Sequence, residues 1–127
     1  MAAPAIPPRP IVLLVDDEAE FARALGLNLA AHFDVDYAAS AAEAEMMLGT
    51  RSYDVIVCDH LMPGEEGLPF LTRVRRHFPQ VQRILLTGYM NPELISRSTA
   101  VAGLAGCLMK PIHATELVDL IRLAMPR

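Results

Sequence analysis

Four short apolar runs and a fifth, more polar one punctuate the chain, and stretches with helical spacing fill the intervals. Ile11–Val15 is five apolar residues in succession, rich in β-branched types and closed by Asp16-Asp17. A continuous run of that length suits a strand buried on both faces. Val55–Cys58 repeats the pattern and closes on Asp59, Ile84–Leu86 closes on Thr87-Gly88, and Leu104–Met109 closes on Lys110-Pro111. Asp34–Ala38 is weaker and more polar, as an edge strand can be.

The intervals carry helical signals. Phe21, Leu25 and Leu29 follow an i, i+4 spacing. Ser40 with Glu43 three residues on reads as a capping box, and Ala44, Met47 and Leu48 form the inner stripe of the helix behind it. Leu68, Leu71, Val74 and Phe78 mark a third helix that Pro79 stops. Asn91-Pro92 is an N-cap and first-turn pair for a helix running toward Ala102 with a thin apolar stripe. Leu117, Leu120, Ile121 and Ala124 mark the last helix. Five strands alternating with five helices predict right-handed crossovers and a parallel sheet covered on both sides, a doubly wound α/β domain.

Length and composition agree with one folded unit. The chain has 127 residues, 53% of them hydrophobic and 20% charged, so a packed core is expected rather than disorder. No apolar run approaches the roughly 20 residues that span a bilayer, and no secretory signal pattern opens the chain, so no membrane association is expected. The first ten residues hold four prolines. Residues 1–9 therefore read as a flexible Pro-rich leader and 10–127 as the domain. The helical and strand pattern ends near Met125, which reads as a stand-alone domain or one cut from a longer protein. Cys58 and Cys107 lie inside apolar runs without metal-like spacing, as two buried thiols in a reducing cytoplasm would. The net charge of −4 leaves no electrostatic footprint for nucleic acid, so direct nucleic-acid binding is not expected.

In sheets of this kind ligands bind beyond the carboxyl ends of the strands, where the strand order reverses. Here those ends carry Asp16, Asp17, Asp59, Thr87 and Lys110, the last being the only lysine in the chain. Clustered carboxylates repel unless a cation sits among them. All-oxygen ligands without His or Cys favour Mg2+ over Zn2+. An aspartate there is also a competent nucleophile toward phosphorus. Thr87 can donate a hydrogen bond to a phosphoryl oxygen, and the Lys110 ammonium can neutralise another.

With these residues in place, the chain resembles a response-regulator receiver domain, the phosphoacceptor module of two-component signalling. The likeness runs from about Pro10 to Met125. Its carriers are Leu14-Val15-Asp16-Asp17-Glu18, Asp59-His60-Leu61-Met62-Pro63 with Gly67, Thr87-Gly88, and Lys110-Pro111. The resemblance implies a flavodoxin-like sheet of order 2-1-3-4-5. It implies that Asp59 is phosphorylated, and that Asp17, Asp59 and the backbone carbonyl of Leu61 bind Mg2+, with Asp16 acting through a water. Thr87 and Lys110 would contact the phosphoryl group, and Pro111 would follow a cis peptide. The implied partners are a sensor histidine kinase or phosphotransfer protein, a downstream effector protein or domain, and a second copy joined through the last helix and strand. Acetyl phosphate is an implied small donor. The module would assist its own phosphorylation and dephosphorylation without being an enzyme in its own right.

Several departures and alternatives bear on this. The family usually places Tyr or Phe three residues before the lysine, where it swings inward with the threonine; here that position is Cys107. The expectation is that Tyr89 or the segment from Gly88 to Ala102 carries the switch, with Cys107 filling core space. Leu61 and Tyr89 offer no carboxylate or amide to orient water at the acceptor, so a long-lived phosphoryl group is expected. His60 is read as a rim residue without a chemical part. A pseudo-receiver that docks partners without phosphate is the alternative. A phosphohydrolase of the haloacid-dehalogenase type would need a second Asp two residues after its nucleophile. Asp16 is followed by Asp17-Glu18 and Asp59 by His60-Leu61, so that pattern fails.

Overall fold

Neighbouring residues of Ile11–Val15, the first strand (β1), point into two different cores, which is why the run is apolar at every position. Leu13 and Val15 join one cluster, Val12 and Leu14 the other, and all four are fully buried. The computed structural model describes residues 9–88 and 91–125. The other strands are β2 (Asp34–Ala38), β3 (Val55–Asp59), β4 (Gln82–Thr87) and β5 (Gly106–Met109). They alternate with α1 (Ala19–Leu29), α2 (Ala41–Leu48), α3 (Gly67–His77), α4 (Pro92–Ala102) and α5 (Ala114–Ala124). The strands form one parallel sheet in the order β2-β1-β3-β4-β5, the doubly wound arrangement expected. No helix among the described residues is long and apolar enough to cross a membrane.

One face of the sheet packs Leu13, Val15, Ile56, Cys58 and Leu85 against Ala44 and Leu48 of α2, Phe70, Leu71 and Val74 of α3, and Ala102 of α4. The opposite face packs Val12, Leu14, Val55, Val57, Ile84 and Leu86 against Leu25 and Leu29 of α1 and Leu117, Val118 and Ile121 of α5. Burial of these side chains removes apolar area from water at roughly 25 cal/mol per Å2, the main favourable contribution to such a fold.

Capping residues set several helix starts as the sequence suggests. Ser40 Oγ accepts from the Glu43 N–H at 3.1 Å, and Asn91 Oδ1 accepts from the Glu93 N–H at 2.9 Å, with Pro92 in the first turn. α4 ends on Gly103 at φ +58, a left-handed conformation that side chains resist.

The structure shifts some boundaries. β4 starts at Gln82, two residues before its apolar run, because Arg83 is buried with its guanidinium satisfied by carbonyls. Its Nε donates to Ala102 O at 2.8 Å, one terminal nitrogen to Val81 O at 2.7 Å and the other to Gly103 O at 3.1 Å. β5 starts at Gly106 rather than Leu104, since the Leu104 N–H is still bonded back to Thr99 O of α4 at 3.3 Å. Cys58 is buried as expected, but Cys107 is only half-buried, because β5 is an edge strand. Residues 1–8 of the expected leader, and Tyr89 and Met90, lie outside the described residues. Arg9 donates a hydrogen bond to Ala30 O.

Candidate functional site

β1 pairs with both β2 and β3, so the strand order reverses at its edge, and the crevice beyond the strand ends opens there. β1 delivers Asp16 and Asp17, and β3 delivers Asp59, its last residue. One carboxylate oxygen from each of the three lies within 4.8 Å of the others. Asp16 and Asp59 are buried and Asp17 is exposed.

β4 and β5 complete the cluster. Asp59 stands in register with Leu86, and Thr87, buried, ends β4 one residue beyond. Thr87 O accepts from the Lys110 N–H at 2.8 Å, which fixes the start of the loop after β5. Lys110 Nζ lies 3.2 Å from Asp59 Oδ1 and 3.8 Å from Asp16 Oδ2. The Lys110–Pro111 peptide is cis. Five residues that the sequence scatters from position 16 to position 110 therefore share one crevice.

Asp16 shows how the acids are held. Its Oδ1 accepts from the Glu18 N–H at 2.9 Å, which caps the start of α1 where Glu18 offers no side-chain cap. Its Oδ2 is buried and has no hydrogen-bond partner among the described residues. Burial pushes the Asp16 carboxyl above its ordinary value, and the charges of Asp59 and Glu18 push the same way. The Glu18 N–H and Lys110 pull it down.

A buried carboxylate oxygen without a donor, beside two more carboxylates, is the arrangement a hard divalent cation would satisfy. The donor set is all oxygen, and it fits Mg2+ better than a soft metal. The Cys58 thiol beside Asp59 donates to Asp59 O at 3.3 Å, and burial pushes it well above its ordinary value.

The loop from His60 to Glu66 follows Asp59, and contacts distant in sequence brace it. His60 N–H donates to Leu86 O at 2.9 Å, and Gly67 N–H donates to His60 O at 2.8 Å. His60 Nδ1 accepts from the Leu68 N–H at 3.4 Å, which leaves Nε2 to donate to the Glu66 carboxylate 3.2 Å away. Arg73 of α3 reaches Glu65 of this loop at 2.6 Å and Glu45 of α2 at 2.9 Å. Its hydrogen bonds hold the Glu65 carboxyl below the usual range. Nothing in the spacing of Glu45, Glu65 and Arg73 signals this, since the three meet only through packing of α2 on α3. Leu61, two residues past Asp59, has its side chain largely exposed. Phe21, the first residue of the i, i+4 series in α1, is half-buried, with its ring 4.6 Å from Lys110 Nζ.

Fold and site together define a doubly wound α/β domain with an acidic, lysine-guarded crevice at its topological switch point. The chain belongs to the response regulator receiver domain family, whose model matches residues 12–122. It is a signalling domain of two-component systems rather than an enzyme of the usual kind. It is 38% identical over 114 residues to the hydrogenase transcriptional regulatory protein HoxA of Cupriavidus necator, covering 90% of this chain and 24% of that protein. It is 30% identical to the response regulator protein FleR of Pseudomonas aeruginosa, covering 87% of this chain and 23% of FleR. The chain thus spans about a quarter of the length of these relatives. Among solved structures, it superposes on the signal receiver domain of an HD domain-containing protein from Pseudomonas fluorescens with a TM-score of 0.86. That match has 27% identity and covers 98% of this chain and 92% of the other. A CheY-like receiver domain protein from Methanospirillum hungatei gives a TM-score of 0.83 at 25% identity, covering 90% and 91%.

Proposed function

We propose that this chain is a phosphorylation-operated switch and that Asp59 is its acceptor. The observation that carries this is the meeting of three carboxylates within 4.8 Å with Lys110 Nζ 3.2 Å from Asp59. A carboxylate oxygen of Asp59 attacks phosphorus on a phosphohistidine of a sensor kinase or phosphotransfer protein. The O–P bond forms as the N–P bond breaks, and the imidazole nitrogen keeps the electron pair. With acetyl phosphate the leaving group is acetate. Thr87 donates to one phosphoryl oxygen, and Lys110 pairs with another in place of its bond to the carboxylate.

The carboxylates of Asp16, Asp17 and Asp59, with the backbone carbonyl of Leu61, would hold Mg2+, which when bound offsets negative charge on the phosphoryl oxygens. Hydrolysis by water later returns the free carboxylate, slowly, since the apolar Leu61 offers nothing to orient that water. We take residues 10–127 as the receiver unit, residues 1–9 as a leader, and the cytoplasm as its compartment.

The output passes to an effector protein or an attached domain, or to a second copy through α5 and β5. HoxA is by its name a transcriptional regulator, and control of transcription through such an effector is the matching output here. With a net charge of −4 the chain itself is a poor nucleic-acid ligand. The half-buried thiol of Cys107, where a swinging aromatic is usual, favours a second reading, a docking module indifferent to phosphate.

Intact-mass measurement after incubation with acetyl phosphate and Mg2+ separates the two. One added phosphate that Asp59→Asn abolishes supports the switch. No addition to the unmodified chain supports the docking module.

A further inference from the structure

The Lys110 ammonium lies between two kinds of neighbour. On one side are the carboxylates of Asp59 at 3.2 Å and Asp16 at 3.8 Å. On the other is the face of Phe21, with its ring centroid 4.6 Å from Nζ. Phe21 sits in the first turn of α1, four residues past Asp17, and it is only half-buried. Packing of α1 on the sheet is carried by Ala22, Leu25, Gly26 and Leu29, which are buried. Phe21 packs against the edge of that core and at the same time turns its ring face to the Lys110 ammonium.

A lysine head on a four-carbon stem has many rotamers to lose, and hydrogen bonds to one carboxylate fix its direction poorly. A ring face attracts a cation within about 6 Å without carrying a formal charge. It holds the ammonium in place yet does not compete with a phosphoryl oxygen as a third anion. It also shields one flank of Nζ from water, and the Lys110 side chain is 22% exposed. We infer that Phe21 is a positioning residue for Lys110, its ring keeping the ammonium aimed at the place where a phosphoryl oxygen on Asp59 arrives. The inference rests on reading Asp59 as the acceptor.

Lys110 is the only lysine, so isotope-labelled lysine reports this one side chain without ambiguity. In the unmodified 127-residue chain the Lys110 ε-methylene protons are expected upfield of free lysine, shifted by the ring current. Phe21→Leu abolishes the shift and Phe21→Tyr restores it. Phosphorylation by acetyl phosphate with Mg2+ slows roughly three- to tenfold in Phe21→Leu, the range of a partly desolvated cation–ring contact. Phe21→Tyr recovers the rate, and Phe21→Leu adds no further loss in a Lys110→Ala background.

An unshifted Lys110 signal overturns the inference. So does an equal loss of rate in the Leu and Tyr variants, or an undiminished loss in the Lys110→Ala background. Failure of the unmodified chain to take up phosphate overturns the acceptor reading instead, while the Lys110 signal still decides the ring contact.

Discussion

Gly67 lies so close to Asp59 that a β-carbon built on it would stand 2.3 Å from the Asp59 backbone oxygen. The closeness follows from the loop between them, which Gly67 shuts by donating its N–H to His60 O. Helix α3 therefore begins against the backbone of Asp59 itself. Gly67→Ala has to push α3 or the end of β3 aside, at a cost of about 1–3 kcal/mol. Urea unfolding measures it. On the proposed function, phosphate uptake is expected to fall in the same variant, because the displaced backbone is that of Asp59.

Asp16→Asn removes one charge from the carboxylate cluster and supplies an N–H2 where Oδ2 has no hydrogen-bond partner among the described residues. Without metal the variant is expected to be more stable than the parent by about 1 kcal/mol, since like-charge repulsion is relieved. With saturating Mg2+ the order reverses, because the parent holds the ion more tightly and so gains more binding free energy than the variant. Thermal melts in chelator and in Mg2+ give both halves of the comparison.

Arg83 and Arg75 both donate to carbonyls at the end of α4, from opposite degrees of burial. Buried Arg83 takes Ala102 and Gly103, while exposed Arg75 takes Ala100 and Val101, both at 3.0 Å. Arg83→Met strips buried acceptors of a charged donor and is expected to cost about 2–4 kcal/mol. Arg75→Met, in water on one side, costs about 1 kcal/mol or less. Denaturant titrations of the two variants show the gap, and amide exchange in α4 is expected to quicken much more in the first.

Tyr53 is buried near the amino end of β3, and its hydroxyl donates to Asp36 Oδ2 at 2.6 Å. Burial first, and then that hydrogen bond, push the phenol up to about 12 from its ordinary 10. The folded value is the raised one. Its contribution to stability is therefore complete below pH 10 and is lost as the pH rises toward 12. Tyrosinate absorbance is expected to show one phenol titrating late, and Tyr53→Phe removes that step. A phenol titrating near the ordinary value in the folded chain contradicts the assignment.

Much of this arrangement could be read along the chain. The runs ending at Val15 and Cys58 are legible because both sheet faces are dry, so every residue in them is apolar. The caps at Ser40 and Asn91 are legible because a cap acts within three residues. β4 and β5 start away from the ends of their apolar runs, since a buried arginine and a helix-closing leucine obey contacts that no short stretch shows. The sequence places Leu61 and Tyr89 only by their distance along the chain from Asp59 and Thr87, and Tyr89 lies outside the described residues.

The amino-acid sequence by itself determined which chemical groups end the strands: carboxylates, a hydroxyl and one ammonium, each the next residue after an apolar run. Only the tertiary structure decided which of them meet. Parallel pairing of β1 with β3, and of β4 with β5, sets strand ends from positions 16 to 110 side by side. Phe21 under Lys110 and Arg73 between Glu45 and Glu65 depend on how α1 and α3 lie across that sheet. Such packing is a property of whole helix faces, and no short stretch of residues encodes it.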